Sequence, residues 1–231
     1  MGRHHPRARA LVVASLLLAS GFSLALLGAR VAYTGGDRFG FLAWNLCLAW
    51  IPLLAALAVY DRAKRGRGDP WQVLLGAAWL LFFPNAPYLV TDLIHVQGSW
   101  YDAAMIGAFA WTGVLLGLVS LYLMHTVLRR RLGAVGSWAA VAAVLGLGGF
   151  GIYLGRFQRW NSWDVLARPR ALVADVAAPL ADPLAHPRAV AATLVFAGFL
   201  ALAYLTVYAL VELGAGRRSG GTAPPQATSR G

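Results

Sequence analysis

The sequence predicts an all-α membrane protein: a polytopic bundle of six transmembrane helices, with a short interfacial helix in the outer loop between spans five and six. The chain of 231 residues is 59% hydrophobic and only 13% charged, about half the charged fraction of a soluble domain. It contains six apolar runs that can each supply the roughly 20 helical residues needed to cross a hydrocarbon core of about 30 Å. These runs are residues 10–32, 40–60, 71–91, 103–128, 137–155 and 188–213.

The six runs indicate a single membrane domain at 10–213, preceded by a basic cytoplasmic arm at 1–9 and followed by a disordered cytoplasmic tail at 214–231. Glycine, serine, threonine and proline dominate the tail, a composition that cannot form a core. The first run exceeds 20 residues and lacks a clean A-x-A site, so we interpret it as an uncleaved span and not as a secretory signal. Cys47 is the only cysteine, which excludes an intrachain disulfide.

The net charge of +11 is distributed unevenly along the chain. Arginine and lysine concentrate in the N-terminal arm, in the loops after spans two and four, and in the tail. Basic residues in alternate loops are the positive-inside pattern, which predicts that both termini are cytoplasmic. We expect the protein to lie in the cytoplasmic (inner) membrane. Anionic lipid headgroups account for this charge, so we expect membrane lipids, and no nucleic acid, as partners.

The second span contains an isolated polar residue, Asn45, ahead of Pro52. We interpret Asn45 as an interhelical hydrogen-bond donor at a proline bend, with a role in a functional site as the alternative.

The third span is interrupted by Pro84 and Pro87, which remove backbone donors and predict a departure from regular helix within residues 82–88. Backbone freed in this way must face protein or a wet cavity and not lipid, so Asn85 should face the bundle. At 100° per residue, four polar side chains fall within an arc of about 80°. They are Asn85, Tyr88, Asp92 and His95. The alternative is a helix end wetted at the membrane interface.

Glycines in the fourth and fifth spans are interpreted as small-residue faces that allow close helix packing. Gly146, Gly148 and Gly151 also fit G-x-G-x-x-G, but they lie inside an apolar span and not between a strand and a helix, so no dinucleotide or other cofactor is predicted. The packing glycines are Gly113, Gly117, Gly151 and Gly155.

Two arginines, Arg156 and Arg159, follow the fifth span on the outer side, against the positive-inside trend. Charges kept there usually pair with acids, so spans three and five should pack side by side with at least one arginine contact to a carboxylate. The acids on that side are Asp92, Asp102 and Asp164. The cluster is either an ion-paired lid or a site that holds an anionic group. A metal site would need more ligands than Asp92, His95 and scattered acids provide, so no metal is predicted.

The outer loop at 156–187 is too long for a plain connection. Pro169 and Pro179 stand where a helix would begin and end, and four apolar residues share one face of it: Leu172, Val173, Val176 and Leu180. The loop therefore predicts a short helix in the membrane interface, or a loop packed over the outer mouth of the bundle.

Four segments give the chain a family resemblance: NLCLAWIP at 45–52, WLLFFPNAPYLVTDLIH at 79–95, WYD at 100–102, and residues 151–164. They resemble domain-of-unknown-function family 1361, a family of bacterial integral-membrane proteins. The resemblance covers roughly residues 40–213 and leaves out the arm, the first span and the tail. It implies membrane location and topology, and it carries no established activity.

The sequence leaves three functional classes open. The first, which we favour from the sequence, is a structural or accessory membrane protein, which needs no chemistry. A membrane-embedded enzyme or a lipid- or anion-binding protein would use the outer Asp/His/Arg cluster. A transporter or channel component would use the broken helix and, lacking internal repeats, would have to assemble as an oligomer. The expected protein partners are further copies of the chain or another membrane protein.

Overall fold

The computed structural model describes residues 6–66, 70–96 and 98–220, and every regular element in these ranges is a helix. Residues 1–5 of the predicted basic arm and residues 221–231 of the predicted tail lie outside the described chain. Between them the helices are α1 (Pro6–Thr34), α2 (Phe41–Lys64), α3 (Pro70–Phe82), α4 (Asn85–Tyr88), a 3₁₀ helix (Leu89–His95), α5 (Trp100–Phe157), α6 (Asp164–Ala167), α7 (Pro169–Ala181) and α8 (Pro187–Gly220).

In the described part of the chain, five helical stretches are long and apolar enough to cross a membrane, where the sequence pattern predicted six. The difference lies in α5, whose 58 residues contain both the predicted fourth and fifth spans. The predicted loop between them is almost entirely helical, so the two spans join into one element.

Helix α5 nevertheless folds back on itself at Gly133, whose φ of 72° and ψ of −172° are not helical. His125 Nε2 lies 3.3 Å from Ser137 Oγ, whereas 12 residues of straight helix would separate their backbones by about 18 Å. Glycine has no Cβ and adopts this positive φ without strain. We call residues 100–132 the first arm of α5 and residues 134–157 its second arm.

The predicted break in the third span is confirmed. Helix α3 ends at Phe82 and α4 begins only at Asn85. The chain then tightens into the 3₁₀ helix that ends at His95. Pro84 and Pro87 cannot donate backbone hydrogen bonds, which explains why a regular α-helix does not continue here.

The broken segment is wedged between the two arms of α5. On the first arm, a Cβ added at Gly113 would lie 2.3 Å from the Ala86 carbonyl oxygen, and one added at Gly117 would lie 3.4 Å from Ala86 Cβ. On the second arm, Gly151 packs against Pro84 and Gly155 against Tyr88. The irregular backbone therefore faces protein, as a non-helical segment at membrane depth must.

Two buried apolar clusters hold the bundle together. One joins the later part of α2 to α3, both arms of α5 and α8, and includes Trp79, Leu121 and Tyr204. The other joins α1 and the start of α2 to the broken segment and the first arm, and includes Leu42 and Ile106.

Polar contacts mark the two ends of the bundle. At one end, the start of α1 meets the end of α2, the start of α3 meets the end of the first arm, and the first arm meets the later part of α8. The pairs are Arg9–Asp61, Gln72–Arg131 and Arg129–Tyr208. We call this the basic end. The opposite end contains the Arg30–Asp102 and Asp92–Arg156 pairs, and we call it the outer end.

Candidate functional site

Asp92 lies at the centre of the outer end, with 1% of its surface exposed. The 3₁₀ helix places its carboxylate between α2 and the second arm of α5. Asn45 Nδ2 donates to Oδ2 at 3.1 Å, and Arg156 Nη1 donates to Oδ1 at 3.4 Å. His95 Nδ1 lies 3.9 Å from Oδ1. The structure thus contains the expected contact between a fifth-span arginine and a third-span acid.

Asp102 is paired elsewhere. Its carboxylate accepts hydrogen bonds from Arg30 Nε at 2.6 Å and from Arg30 Nη2 at 3.3 Å. The Arg30 guanidinium also lies 4.4 Å above the ring of Phe39. This pair ties the end of α1 to the start of α5. Sequence reasoning missed Arg30, although an arginine at the outer end of an apolar span is itself a signal that an acidic partner is nearby.

Asp164 belongs to a local structure in the outer loop and not to the Asp92 group. Its Oδ2 accepts from the backbone amide of Asn161 at 2.8 Å, and its Oδ1 accepts from Arg168 Nη2 at 3.1 Å. The hydrogen bond from the Asn161 amide, and after it the Arg168 guanidinium, hold the pKa of the Asp164 carboxyl below its usual range in spite of burial. Trp160 Nε1 donates to Asp175 Oδ2 at 2.8 Å. We call residues 158–181, which these contacts bind together, the outer cap.

A cavity of about 650 Å³ lies between α3, α4, the second arm of α5 and the outer cap. Three of the predicted polar residues line it, namely Asn85, Tyr88 and Arg159. Two of the predicted packing glycines, Gly151 and Gly155, form part of its wall. The rest of the wall is largely apolar and includes Leu80, Leu81, Leu147, Phe150, Leu154, Val165, Leu172 and Val176.

The predicted cluster therefore divides into separate groups. One group is the network of Asp92, His95 and Arg156, none of which lines the cavity. Asn45 lines the cavity and donates to Asp92, so it connects this network to the cavity. Asp102 and Asp164 are each satisfied by another arginine. In the described part of the chain, no three His, Cys, Asp or Glu side chains come together.

The outer cap is attached to the broken helix beside the cavity. Asn85 Nδ2 donates to Ser162 Oγ at 2.8 Å, and Ser162 Oγ donates to the Leu81 carbonyl at 3.3 Å. The Trp44 and Trp163 rings meet edge to face, with centroids 6.3 Å apart. These contacts place α7 so that Leu172 and Val176 cover the cavity. The expected apolar face of α7 is split, because Val173 and Leu180 are exposed.

Arg159 differs from Arg30, Arg156 and Arg168, each of which contacts a carboxylate. Within residues 6–66, 70–96 and 98–220, no hydrogen bond or ion pair engages its guanidinium, and its side chain is exposed at the cavity. Its φ of 59° is the left-handed conformation that glycine usually supplies just after a helix C-terminus. The Tyr88 hydroxyl, which also lines the cavity, has no hydrogen-bond partner in the same ranges.

The long apolar helices, together with charged groups confined to the two ends of the bundle, define an α-helical membrane protein. Residues 44–205 match the family described as protein of unknown function (DUF1361), and the chain belongs to that family. The match includes every residue that lines the cavity, while α1 and Arg30 precede it. No curated protein and no solved structure matches the chain.

Proposed function

We propose that the chain crosses the inner membrane of a bacterium six times, with both termini in the cytoplasm and α7 in the outer membrane–water interface. Folding of α5 at Gly133 supports counting each arm as one crossing. The grouping of Arg9, Arg129 and Arg131 at one end supports a cytoplasmic position for that end, because basic residues are retained on the cytoplasmic side.

We further propose that the protein binds an anionic amphiphile in the outer cavity, with Arg159 as the anchor of the charged group. The observation behind this proposal is that Arg159 is the one charged residue lining the cavity and that its guanidinium forms no hydrogen bond or ion pair within the described ranges, whereas three other arginines at this end are paired. Arg156 contacts Asp92, Arg30 contacts Asp102 and Arg168 contacts Asp164. A guanidinium at a largely apolar cavity is suited to a carboxylate or phosphate, which it can bind through two parallel hydrogen bonds.

Binding fits the cavity better than catalysis or transport does. Among the residues that line it there is no carboxylate, imidazole or thiol to act as a general base or nucleophile. Toward the basic end, buried side chains that include Trp79, Leu145 and Tyr204 pack together and leave this cavity facing the outer end. A transport path would have to continue through that core.

The test compares two charge-neutralising variants in the same loop. Arg159→Gln removes the anchor, whereas Arg170→Gln removes a charge from α7 that does not line the cavity. The purified full chain is mixed with lysophosphatidylglycerol or lysophosphatidylcholine, and thermal unfolding and native mass spectrometry are measured. A ligand at 100 times its Kd should stabilise the folded chain by about 2.7 kcal/mol.

We expect the anionic lipid to raise the melting temperature of the parent chain and of Arg170→Gln, but not that of Arg159→Gln. Equal responses of the two variants would refute a role for Arg159. No preference for the anionic lipid in the parent chain would refute the binding function and favour a structural or accessory role.

A further inference from the structure

We propose that the ligand of the outer cavity is a lipid phosphate with a single hydrocarbon chain. This inference rests on the proposed function and narrows it from anionic amphiphiles in general to one class. Three properties of the cavity support it: the separation of polar from apolar walls, the place where the cavity opens, and the volume.

The polar groups of the cavity lie at its outer end. Arg159, Trp160, Asn161 and Ser162 come from the outer cap, Asn85 and Tyr88 come from the broken helix beside it, and Asn45 comes from α2. Asn85 donates to Ser162, Asn45 to Asp92 and Trp160 to Asp175. Within the described ranges the Arg159 guanidinium and the Tyr88 hydroxyl have no hydrogen-bond partner, so they are available as donors. Two such donors suit a phosphate, which offers several acceptor oxygens and prefers a bidentate arginine.

The apolar wall runs along the helices below this polar end. It is formed by α3 through Ala77, Leu80 and Leu81, and by the second arm of α5 through Leu147 and Phe150. From residue 147 to the end of α5 at residue 157, the helix rises about 15 Å. A hydrocarbon chain attached to a headgroup at Arg159 would therefore lie between α3 and the second arm.

Some of these apolar side chains are open to the surroundings. Leu147 is 53% exposed, and Leu80 and Leu81 are each 38% exposed, although all three line the cavity. In a membrane-spanning helix such exposed leucines face lipid, so the apolar part of the cavity opens laterally into the bilayer. A lipid can then enter sideways without its chain crossing water.

The volume suits one enclosed hydrocarbon chain. About 650 Å³ falls within the range of roughly 300–1,000 Å³ that encloses a single small-molecule ligand. With the headgroup occupying the polar end, the remaining space suits one chain between the two helices. Gly151 and Gly155 pack directly against Pro84 and Tyr88. No space for a second chain therefore remains between the second arm of α5 and the broken helix.

The experiment measures the affinity of the full chain for four probes in nanodiscs of phosphatidylcholine, by native mass spectrometry and competition. The probes are lysophosphatidic acid, phosphatidic acid, lysophosphatidylcholine and inorganic phosphate. We expect one lysophosphatidic acid to bind at least tenfold more tightly than either the two-chain or the zwitterionic probe, and inorganic phosphate not to compete at equal concentration. Phosphatidic acid binding as tightly as lysophosphatidic acid would overturn the single-chain inference and leave the proposed function standing. Competition by inorganic phosphate would show that the charged group alone is recognised, and would overturn both the single-chain inference and the binding of an amphiphile.

A pair of tryptophan variants in α3 tests the position of the chain. Ala77→Trp fills the apolar wall, whereas Val73→Trp adds the same ring one turn earlier at a position that is exposed and does not line the cavity. We expect Ala77→Trp to weaken lysophosphatidic acid binding at least tenfold and Val73→Trp to change it less than twofold. Equal effects would overturn the placement between α3 and the second arm. The comparison of one-chain and two-chain probes on the parent protein needs no variant, so it decides the inference even if Ala77→Trp does not fold. Failure of every anionic amphiphile to bind would instead refute the proposed function itself.

Discussion

Replacing Gly113 with alanine should destabilise the fold by forcing the broken third span away from the first arm of α5. An ideal Cβ at this position would lie 2.3 Å from the Ala86 carbonyl oxygen and 2.6 Å from Leu89 Cδ1, whereas ordinary contacts are 3.4–4 Å. The obstacle is backbone as well as side chain, so the segment would have to move by about 1 Å. Overpacking of this kind costs about 1–3 kcal/mol.

The matched control is Gly107→Ala in the same arm, where an added Cβ would meet nothing within 4 Å. Both substitutions gain the same helix propensity, about 1 kcal/mol for alanine over glycine. That gain cancels in the comparison, and the difference between the two variants is the cost of the clash. Gly113→Ala should therefore be less stable than Gly107→Ala by about 1–3 kcal/mol.

Thermal unfolding in one detergent, followed by circular dichroism, measures this difference. For a chain of this size each kcal/mol corresponds to about 2–4 °C in Tm. We expect Gly107→Ala to unfold at or above the temperature of the parent chain and Gly113→Ala to unfold below it. Equal melting temperatures for the two variants would refute the close packing of the broken segment on α5.

Three further predictions concern the outer end and the topology. Arg159→Gly should leave the free energy of unfolding unchanged or raise it by about 1 kcal/mol, because glycine accepts the left-handed backbone that costs other residues about 1–2 kcal/mol. The same substitution should abolish ligand binding. A lower Tm would mean that Arg159 is structural. The native pKa of Asp164 is lowered, so its contribution to the outer cap is complete above its usual pKa of about 3.9 and is lost as the pH falls through the native value; the protection of α6 amides relative to their intrinsic exchange rate should accordingly fall at low pH in the parent chain, and Asp164→Asn should show reduced protection with no such pH dependence. The topology is tested with single cysteines placed on a Cys47→Ala background. An impermeant thiol reagent added from outside should label Ala185→Cys but not Arg65→Cys or Val135→Cys. Labelling of either of the latter two would reverse the proposed orientation.

The break in the third span could be recognised from the sequence because its cause is local. Pro84 and Pro87 lack an amide hydrogen whatever surrounds them, so a regular helix fails at these residues. The apolar runs could be predicted equally well from the sequence, since their length and composition depend only on neighbouring residues. The joining of the fourth and fifth spans into α5 could not be predicted in this way, because the loop expected between them is helical except at Gly133.

Ion pairing at the outer end depended on which helices are neighbours, and that information is not local. Asp102 was one of three acids predicted as possible partners of Arg156 or Arg159, but α1 packs against α5 and brings Arg30 to it instead. Arg156 and Arg159 lie three residues apart in the sequence and carry the same charge. Among the described residues, only Arg156 of the two contacts an acid. The physical reason is that α5 ends at Phe157 and Arg159 lies beyond it in a left-handed turn, so Arg156 stays over buried Asp92 while Arg159 lines the cavity. Hydropathy and charge in the sequence determined that this is a helical membrane protein with a basic end. Only the tertiary structure decided which charges are paired, because a contact of 3–4 Å requires two distant segments to meet.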